Sequence, residues 1–328
     1  MLDRYQRQIE YARISLTDRC NLRCKYCMPE TGVNKLRHED ILSFSEIMRV
    51  VNALAKLGIK KIRLTGGEPL VRRGILDLVR EIKNTAGILE VALTTNAILL
   101  PKMLSGLEQA KLDALNISLD TLDSATFQSI TRRDLFNEVM AGITAAKNST
   151  IKNIKLNCVP IYDVNEDDIC RLAELTRDNS FKVRFIELMP IGCAYEVGYR
   201  GIPMNVVQER LTKHFGALTE LPRAGGLNGP ARYYKINGFK GELGFIDAIE
   251  HKFCASCNRV RLTAEGFLKL CLNAKSGLDL RALIRGGIND DDLTAQIKQA
   301  IYKKPAEHLF FSRDEKTRDR RAMYQVGG

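Results

Sequence analysis

The sequence of 328 residues lacks a long apolar run. No stretch approaches the ~18 consecutive apolar residues that a membrane-spanning helix needs. The N-terminal segment MLDRYQRQIE also lacks the charged-then-apolar order of a secretory signal peptide. Hydrophobic residues make up 45% of the chain and charged residues 27%, a balance typical of globular rather than disordered or fibrous proteins. We therefore expect a cytoplasmic protein without a membrane partner.

The chain also lacks a glycine-rich dinucleotide-binding turn after its first predicted strand, which argues against a Rossmann domain. Strand-like runs alternate with amphipathic stretches, and they occupy residues 11–17, 60–66, 90–95, 114–120, 154–161 and 182–188. The amphipathic stretch at residues 45–58 has the apolar spacing of a helix. Ser45 is its candidate N-cap, and Gly58 is its candidate C-terminal stop.

Successive strand–helix units predict a parallel sheet, because parallel strands need crossover connections. A complete TIM barrel has eight such units, whereas this sequence supplies six. We therefore expect an α/β fold, namely an incomplete (β/α)6 TIM-like barrel that is open on one side. A doubly wound open sheet is the alternative.

The pattern changes after residue 215. A run rich in glycine and proline, LPRAGGLNGPARYY, is followed by short predicted strands at 232–238 and 241–249. A second cysteine group, two short helices and a charged tail complete the chain. We expect residues 1–215 to form the barrel, and residues 216–328 to form a C-terminal domain that covers its open side.

Two cysteine groups each lack a fourth member. Cys20-x3-Cys24-x2-Cys27 directly follows the first predicted strand, where barrel enzymes place their active sites. The second group, Cys254-x2-Cys257-x13-Cys271, lies in the C-terminal part. The total of nine cysteines is odd, and clustered cysteines in a reducing compartment more often bind metal than form disulfides. We interpret the isolated Cys158, Cys170 and Cys193 as core or incidental residues.

The two triplets are compatible with zinc sites and with iron–sulfur clusters. A zinc site needs a fourth ligand, and the nearest candidates are His38 for the first triplet and His251 for the second. A [4Fe-4S] cluster held by three cysteines instead keeps one iron open, as a reactive metal site requires.

The formal net charge of +11 predicts an anionic partner. Nucleotide phosphates and nucleic acid both satisfy such an excess, and the charge alone does not choose between them. Arg13, Arg63 and Lys155 lie on predicted strands that converge on one barrel mouth, an arrangement that suits a triphosphate.

The first triplet, with Tyr26 before its last cysteine, resembles the radical S-adenosylmethionine (SAM) superfamily, in which SAM chelates the open iron of a [4Fe-4S] cluster. The segment LTGGEPL (64–70) resembles the turn of that superfamily that binds the methionine part. Gly66 and Gly67 let the backbone of this turn approach a ligand closely. Two triplets at these spacings together with a terminal Gly-Gly resemble, over essentially the whole chain, the GTP 3′,8-cyclase family of molybdenum cofactor biosynthesis.

This resemblance implies two [4Fe-4S] clusters, held by Cys20, Cys24 and Cys27 and by Cys254, Cys257 and Cys271. It implies that Tyr26, Gly67, Ser118 and Met189 contact SAM. It implies that GTP is bound by Arg13, Arg63, Thr94, Lys155, Arg259, Val260 and Arg261. It implies catalytic roles for Arg259, Arg261, Gly327 and Gly328.

The implied reaction converts GTP to (8S)-3′,8-cyclo-7,8-dihydroguanosine 5′-triphosphate, after a 5′-deoxyadenosyl radical abstracts the ribose 3′ hydrogen. The implied partners are a flavodoxin- or ferredoxin-like reductant, a downstream cyclic pyranopterin monophosphate synthase and a second copy in a homodimer, with no nucleic acid. The sequence departs from the family pattern at Ala97, where the family has a glycine, and at Ala12, where it has a leucine.

Two other functions stay open on sequence grounds. One is a radical enzyme that modifies a peptide, with the second cluster as an electron relay. The other is a basic, zinc-binding nucleic-acid protein, whose affinity would fall steeply as salt rises. The terminal glycines, equally, are a frayed end or a narrow tail that threads into an active site.

Overall fold

The computed structural model describes residues 1–31, 33, 36–222, 227, 229–308, 310, 319 and 321–327. The strands are β1 Tyr11–Ser15, β2 Lys61–Thr65, β3 Glu90–Thr95, β4 Ala114–Ser118, β5 Asn153–Cys158, β6 Lys182–Ile186, β7 Leu218–Glu220, β8 Arg232–Ile236, β9 Glu242–Ile246, β10 Arg259–Leu262, β11 Phe267–Lys269 and β12 Gly277–Asp279. The helices are α1 Phe44–Lys56, α2 Ile75–Lys83, α3 Leu100–Gln109, α4 Ser124–Thr131, α5 Phe136–Lys147, α6 Asp168–Glu174, α7 Cys193–Glu196, α8 Met204–Phe215, α9 Leu280–Arg285, α10 Asp290–Tyr302 and α11 Met323–Val326. Short 3-10 helices occupy His38–Asp40, Pro69–Val71 and Cys254–Ser256.

All strands belong to one sheet, in the order β12-β11-β10-β1-β2-β3-β4-β5-β6-β9-β8-β7. The central strands β1 to β6 are mutually parallel, each is followed by at least one helix, and the six predicted strand–helix units are therefore confirmed. The sheet is mixed only toward its edges. These findings fit a partial TIM-like barrel.

The C-terminal part adds strands to both edges of the barrel sheet. β10 pairs in parallel with β1, and β9 pairs in parallel with β6. The predicted domain boundary at residue 215 coincides with the end of α8. We keep that boundary as a proposal, since the chain beyond it contributes to the same sheet.

Side chains along the central strands alternate between an apolar and a polar face. One face carries Ile14, Leu64, Leu93 and Leu115, which are fully buried in a cluster with apolar residues of the surrounding helices. Arg13 and Arg63, the neighbours of Ile14 and Leu64, point to the other face and pair in register. The same alternation in every strand gives the barrel an apolar outside, covered by helices, and a polar inside.

The predicted strands run past their observed ends. Residues 11–17 were expected where β1 ends at Ser15, and residues 154–161 where β5 ends at Cys158. The extra residues form loops at the carboxyl ends of the strands, and these loops line the site described below.

Helix α1 begins earlier than the sequence indicates. Ser43, not Ser45, is its N-cap and forms a reciprocal capping box with Glu46. Gly58 directly follows the C-cap, Leu57, with a left-handed φ of 87°, as the predicted stop requires. Within the described residues, no helix has the length and apolar character needed to cross a bilayer.

Candidate active site

A cavity of about 330 Å³ extends along the inner face of the sheet, from the carboxyl ends of the central strands toward their amino ends. It gathers most of the side chains that the sequence singled out. The residues that line it include all six triplet cysteines together with Arg13, Tyr26, Arg63, Gly67, Thr94, Ser118, Met189, Arg259, Val260 and Arg261. Lys155 is not among the lining residues, Gly327 meets one of them from the C-terminal tail, and Gly328 lies outside the described residues.

The first triplet lies on the loop after β1. The Cys24 carbonyl accepts hydrogen bonds from the amides of Cys27 and Met28, both at 2.9 Å, and these bonds close a tight turn. Burial raises the pKa of Cys20 to about 11 and that of Cys27 to about 12. The pKa of Cys24 is also raised, by burial first and by the neighbouring thiols second. Each thiol must therefore lose its proton as a metal binds.

The first triplet supplies three thiols, which suits a [4Fe-4S] cluster that keeps one iron open. Across the described ranges, no three His, Cys, Asp or Glu side chains converge closely enough to hold one ion. A cubane cluster takes each thiolate on a different iron. The zinc alternative for the first triplet also fails on its fourth ligand, since the exposed His38 lines a separate groove.

The turn Gly66–Gly67–Glu68 packs directly on the loop that carries the first triplet. A Cβ at Gly66 would lie 2.6 Å from the Thr17 carbonyl oxygen, and one at Gly67 would lie 2.4 Å from that of Arg19. The Gly67 amide donates to the Thr17 carbonyl at 2.7 Å. The two glycines therefore allow the cysteine loop itself to approach, whereas the sequence had suggested a ligand.

Two buried carboxylates that the sequence analysis did not single out also line the cavity. Glu68 accepts hydrogen bonds from the Asn96 amide at 2.7 Å and the Thr95 hydroxyl at 2.8 Å, and burial raises its pKa to about 7. Asp120 accepts from the Tyr26 hydroxyl at 2.5 Å, and burial raises its pKa as well. Glu68 was visible within LTGGEPL, whereas nothing local marks Asp120.

The second triplet is assembled by the antiparallel pairing of β10 and β11. Cys257 lies just before β10, and Cys271 lies just after β11, so the hairpin brings both to the same end. Burial alone would raise the pKa of Cys257, but the nearby Lys304 and Arg259 cations outweigh it and set this pKa at about 7. This thiol is thereby prepared to bind metal as the thiolate.

The histidine proposed as zinc ligand for the second triplet points elsewhere. The His251 side chain is 70% exposed and lies 3.5 Å from the carboxylate of Asp247. It is not among the residues that line the cavity with Cys254, Cys257 and Cys271. The structure therefore does not place His251 as a fourth ligand of the second triplet.

Three arginines lie side by side on adjacent parallel strands. Arg13 of β1 is in register with Arg63 of β2 on one side and with Arg261 of β10 on the other. Burial lowers the pKa of Arg13 well below its usual value and that of Arg261 to about 10, and neighbouring arginines add to both effects. The positive charges of this row therefore repel one another in the ligand-free protein, and a bound anion would offset that repulsion.

Some polar atoms of this face have no partner within the protein. Among the described residues, the Arg63 Nε and the Thr94 hydroxyl are buried without a hydrogen bond, and Arg63 has no carboxylate ion pair. Unsatisfied buried donors cost stability, so their presence in a cavity points to a ligand that satisfies them.

Further cations lie on the same inner face. Arg184, which the sequence reading missed, lines the cavity and donates to the side-chain oxygens of Asn116 and Asn157, both at 2.8 Å. Lys155 is buried behind the lining residues, and its pKa falls to about 6, through burial first and through Arg184, Lys61 and Arg63 second.

The C-terminal tail enters this region. The Gly327 carbonyl accepts a hydrogen bond from the Arg261 guanidinium at 2.6 Å. Gly327 has a left-handed φ of 77°, and a Cβ there would lie 2.7 Å from Thr65 Cγ2. A side chain does not fit at this position. The predicted threading of the tail agrees with this contact for Gly327.

The departure at Ala97 has a structural cost. Ala97 is fully buried and has a φ of 68°, in the left-handed region that glycine adopts without strain. Its amide donates to the Thr95 hydroxyl at 3.0 Å, which holds the turn. The backbone thus keeps the glycine conformation, and alanine adopts it. Ala12 is simply a buried core residue.

Comparisons with known proteins agree with this geometry. Residues 14–176 match the family described as the Radical SAM superfamily, and residues 181–310 match Molybdenum Cofactor Synthesis C. GTP 3′,8-cyclases from Clostridium perfringens (strain 13), Pelotomaculum thermopropionicum and Petrotoga mobilis are 44%, 45% and 40% identical, each over 100% of both chains. Streptococcus suis SuiB bound to S-adenosylmethionine shares the fold, with a TM-score of 0.59 and 15% identity over 90% of this chain and 67% of SuiB.

Arg63, whose guanidinium lies over the Tyr11 ring and has no carboxylate partner among the described residues, generates a stability prediction. We expect Arg63→Met to raise the free energy of unfolding by about 1 kcal/mol, because it removes a buried guanidinium that has cationic neighbours and no counter-charge. Urea denaturation of the ligand-free protein measures the change. Arg80→Met, which breaks an exposed pair with Asp77, is the matched control and should change stability by less than ~0.5 kcal/mol. A loss of stability at Arg63→Met would contradict the assignment.

Proposed function

Because the chain belongs to the GTP 3′,8-cyclase family of the radical SAM superfamily, we propose that its cavity converts GTP to (8S)-3′,8-cyclo-7,8-dihydroguanosine 5′-triphosphate. This reaction opens molybdenum cofactor biosynthesis. One observation carries the proposal: both cysteine triplets and a row of buried cations line a single cavity.

Family membership establishes that the chain uses SAM and an iron–sulfur cluster. We assign that cluster to Cys20, Cys24 and Cys27, which lie on the loop after β1 and line the cavity. When bound, the cluster and SAM supply the 5′-deoxyadenosyl radical that removes the ribose 3′ hydrogen. We assign SAM contacts to Tyr26, Gly67, Ser118 and Met189, all of which line the cavity.

The protein's own side chains and backbone hold the first triplet and its surroundings rigid. The Tyr26 hydroxyl is tied to Asp120, and the loop that carries the cysteines is fixed by the close contact of Gly66 and Gly67. Glu68 joins the end of β2 to the end of β3 through its hydrogen bonds to Thr95 and Asn96. Such bonds hold the open coordination position in place before the substrate arrives.

We propose a second [4Fe-4S] cluster on Cys254, Cys257 and Cys271. The triplet faces the same cavity as the first, and its histidine alternative points away. The cationic Lys304 and Arg259 beside Cys257 favour a thiolate there. An open iron at this position would face the guanine base.

The cations of the inner face bind the triphosphate in this proposal. Arg13, Arg63 and Arg261 form the row, with Arg259 and Val260 beside it on the same strand. The unsatisfied Thr94 hydroxyl supplies a further contact. Binding GTP would relieve the mutual repulsion of these groups and exclude water from the cavity. Lys155 lies outside the cavity lining, and a bound triphosphate would raise the pKa of its buried amine and so favour its charged form.

Arg259, Arg261 and the two terminal glycines complete the catalytic group that we propose. Arg261 holds the Gly327 carbonyl, so the tail and the cation row are physically joined. The tail adds Met323 to the cavity lining and brings the Gly327 backbone to Arg261. The role of Gly328 rests on the family resemblance alone.

The proposal extends to partners. A second cavity, of about 580 Å³, is lined by Arg19, Arg72 and Arg73 and by Leu16 at the end of β1. Its lining residues Leu16 and Arg19 shortly precede Cys20 in the sequence. The positive charge of its arginines suits an acidic, flavodoxin- or ferredoxin-like electron donor. A homodimer, a cytoplasmic location and delivery of the product to cyclic pyranopterin monophosphate synthase rest on the resemblance.

Iron content tests the two-cluster assignment. Anaerobically reconstituted protein should be brown and carry about eight irons, and Cys27→Ser or Cys254→Ser should each leave about four. Cys170→Ser, which changes a cysteine outside the cavity, should leave the iron content unchanged. A wild-type content of four irons would exclude the second cluster, and colourless protein with stoichiometric zinc would exclude both.

Substrate dependence tests the function itself. With SAM and a strong reductant, we expect 5′-deoxyadenosine to form at least ~10-fold faster when GTP is present. Because cations of the inner face bind the triphosphate, Arg259→Ala and Lys155→Met should abolish this stimulation. Lys152→Met, at an exposed position beside β5, should not. An equal rate with and without GTP would refute the cyclase assignment and favour a peptide substrate.

A further inference from the structure

A buried ion pair attaches the C-terminal tail to the sheet. The Lys269 ammonium on β11 pairs with the carboxylate of Asp319, and the Lys269 side chain is fully buried. Lys269 also donates to the Ala274 carbonyl at 2.7 Å, and the Asp319 amide donates to the Asn273 carbonyl at 3.2 Å. The pair therefore fixes both the side chain and the backbone at the start of the described tail.

Asp319 also orients the residues that follow it. Its carboxylate accepts a hydrogen bond from the Arg321 amide at 2.9 Å and another from the Arg321 guanidinium at 3.2 Å. The Ala322 amide then donates to the Gln325 side chain at 2.8 Å, which caps α11. These contacts lead directly to Gly327.

The two sheet residues that bind the tail, Lys269 and Arg261, are neighbours on the sheet. Lys269 is the direct cross-strand partner of Arg261 in the β10–β11 pair. Arg261 in turn holds the Gly327 carbonyl. The tail is therefore attached to both residues of one cross-strand pair. Asp319 binds Lys269, and Gly327 binds Arg261.

A second, steric feature shows that the tail is closely packed in this position. Gly192 has a left-handed φ of 51°, and a Cβ there would lie 2.6 Å from the Ala322 Cα. Only glycine gives the tail room to pass at this point. The backbone between β6 and α7 is therefore shaped to receive the tail.

We propose that Lys269 and Asp319 are positioning residues that dock the C-terminal tail so that Gly327 reaches Arg261. Lys269 is fully buried and does not line the cavity, so it acts through the tail rather than on the substrate. Removal of either partner leaves the other charge buried without its counter-charge, which favours release of the tail. The docking claim stands on these contacts, and only its kinetic consequence rests on the proposed function.

Hydrogen exchange on the ligand-free, full-length protein tests the docking claim. In Lys269→Met, in Asp319→Asn and in Gly192→Ala, we expect amides of residues 321–327 to exchange at least ~10-fold faster than in wild type. Amides of β2 should be unchanged in all three, which shows that the fold is intact. Lys252→Met, which removes a half-exposed pair with Glu307, is the matched control and should leave the tail protected.

The kinetic readout separates a positioning role from a general structural one. The charge variants should lower kcat for GTP-dependent 5′-deoxyadenosine formation at least ~10-fold, with the affinity for SAM unchanged. Wild-type exchange of the tail in both charge variants would overturn the proposal. If exchange rises as expected but wild type shows no dependence on GTP, the docking claim stands and the cyclase assignment fails.

Discussion

The structure depends on one constraint, the burial of cations on the inner face of an incomplete barrel. Strict alternation along each strand sends Ile14 and Leu64 outward to the helices and Arg13 and Arg63 inward. A closed TIM barrel fills its interior with branched apolar side chains. Here the interior is polar and self-repelling, which costs stability that a bound anion restores. The fold therefore keeps a charged cavity that is incomplete without a ligand.

The position of the two cysteine triplets follows from the same sheet. The first triplet lies on the loop after β1, and β10, which follows the second triplet's first two cysteines, pairs in parallel with β1. Cys257 precedes β10 and so lies toward the amino end of β1, whereas the first triplet follows the carboxyl end of β1. One cavity reaches both groups, although they are more than two hundred residues apart in the chain. β10 also carries Arg259, close to the second triplet, and Arg261, a member of the cation row. Cluster ligands, cations and tail converge because one strand pairing brings them together.

Much of this could be predicted from the sequence, because local signals determine it. The alternation identified the six strands of the barrel, and the cysteine spacings identified both triplets. The predicted N-cap of α1 was wrong by two residues, because Ser43 and Ser45 are both residues that favour an N-cap. Glu46 distinguishes them, since it lies three residues after Ser43 and completes a capping box with it. The predicted strands extended past their observed ends because the loops that carry site residues continue the apolar pattern of the strands.

What escaped prediction depends on contacts between distant residues. No local pattern shows that β9 and β10 pair with opposite edges of the barrel, or that Lys155 is buried behind Arg63 and Arg184. The partner of Tyr26, Asp120, lies 94 residues away in the chain. In the proposed reaction, the 5′-deoxyadenosyl radical removes the ribose 3′ hydrogen of GTP. Turnover of GTP deuterated at C3′ tests this step most directly. The 5′-deoxyadenosine that forms should carry deuterium, and 5′-deoxyadenosine without deuterium would refute the proposed reaction.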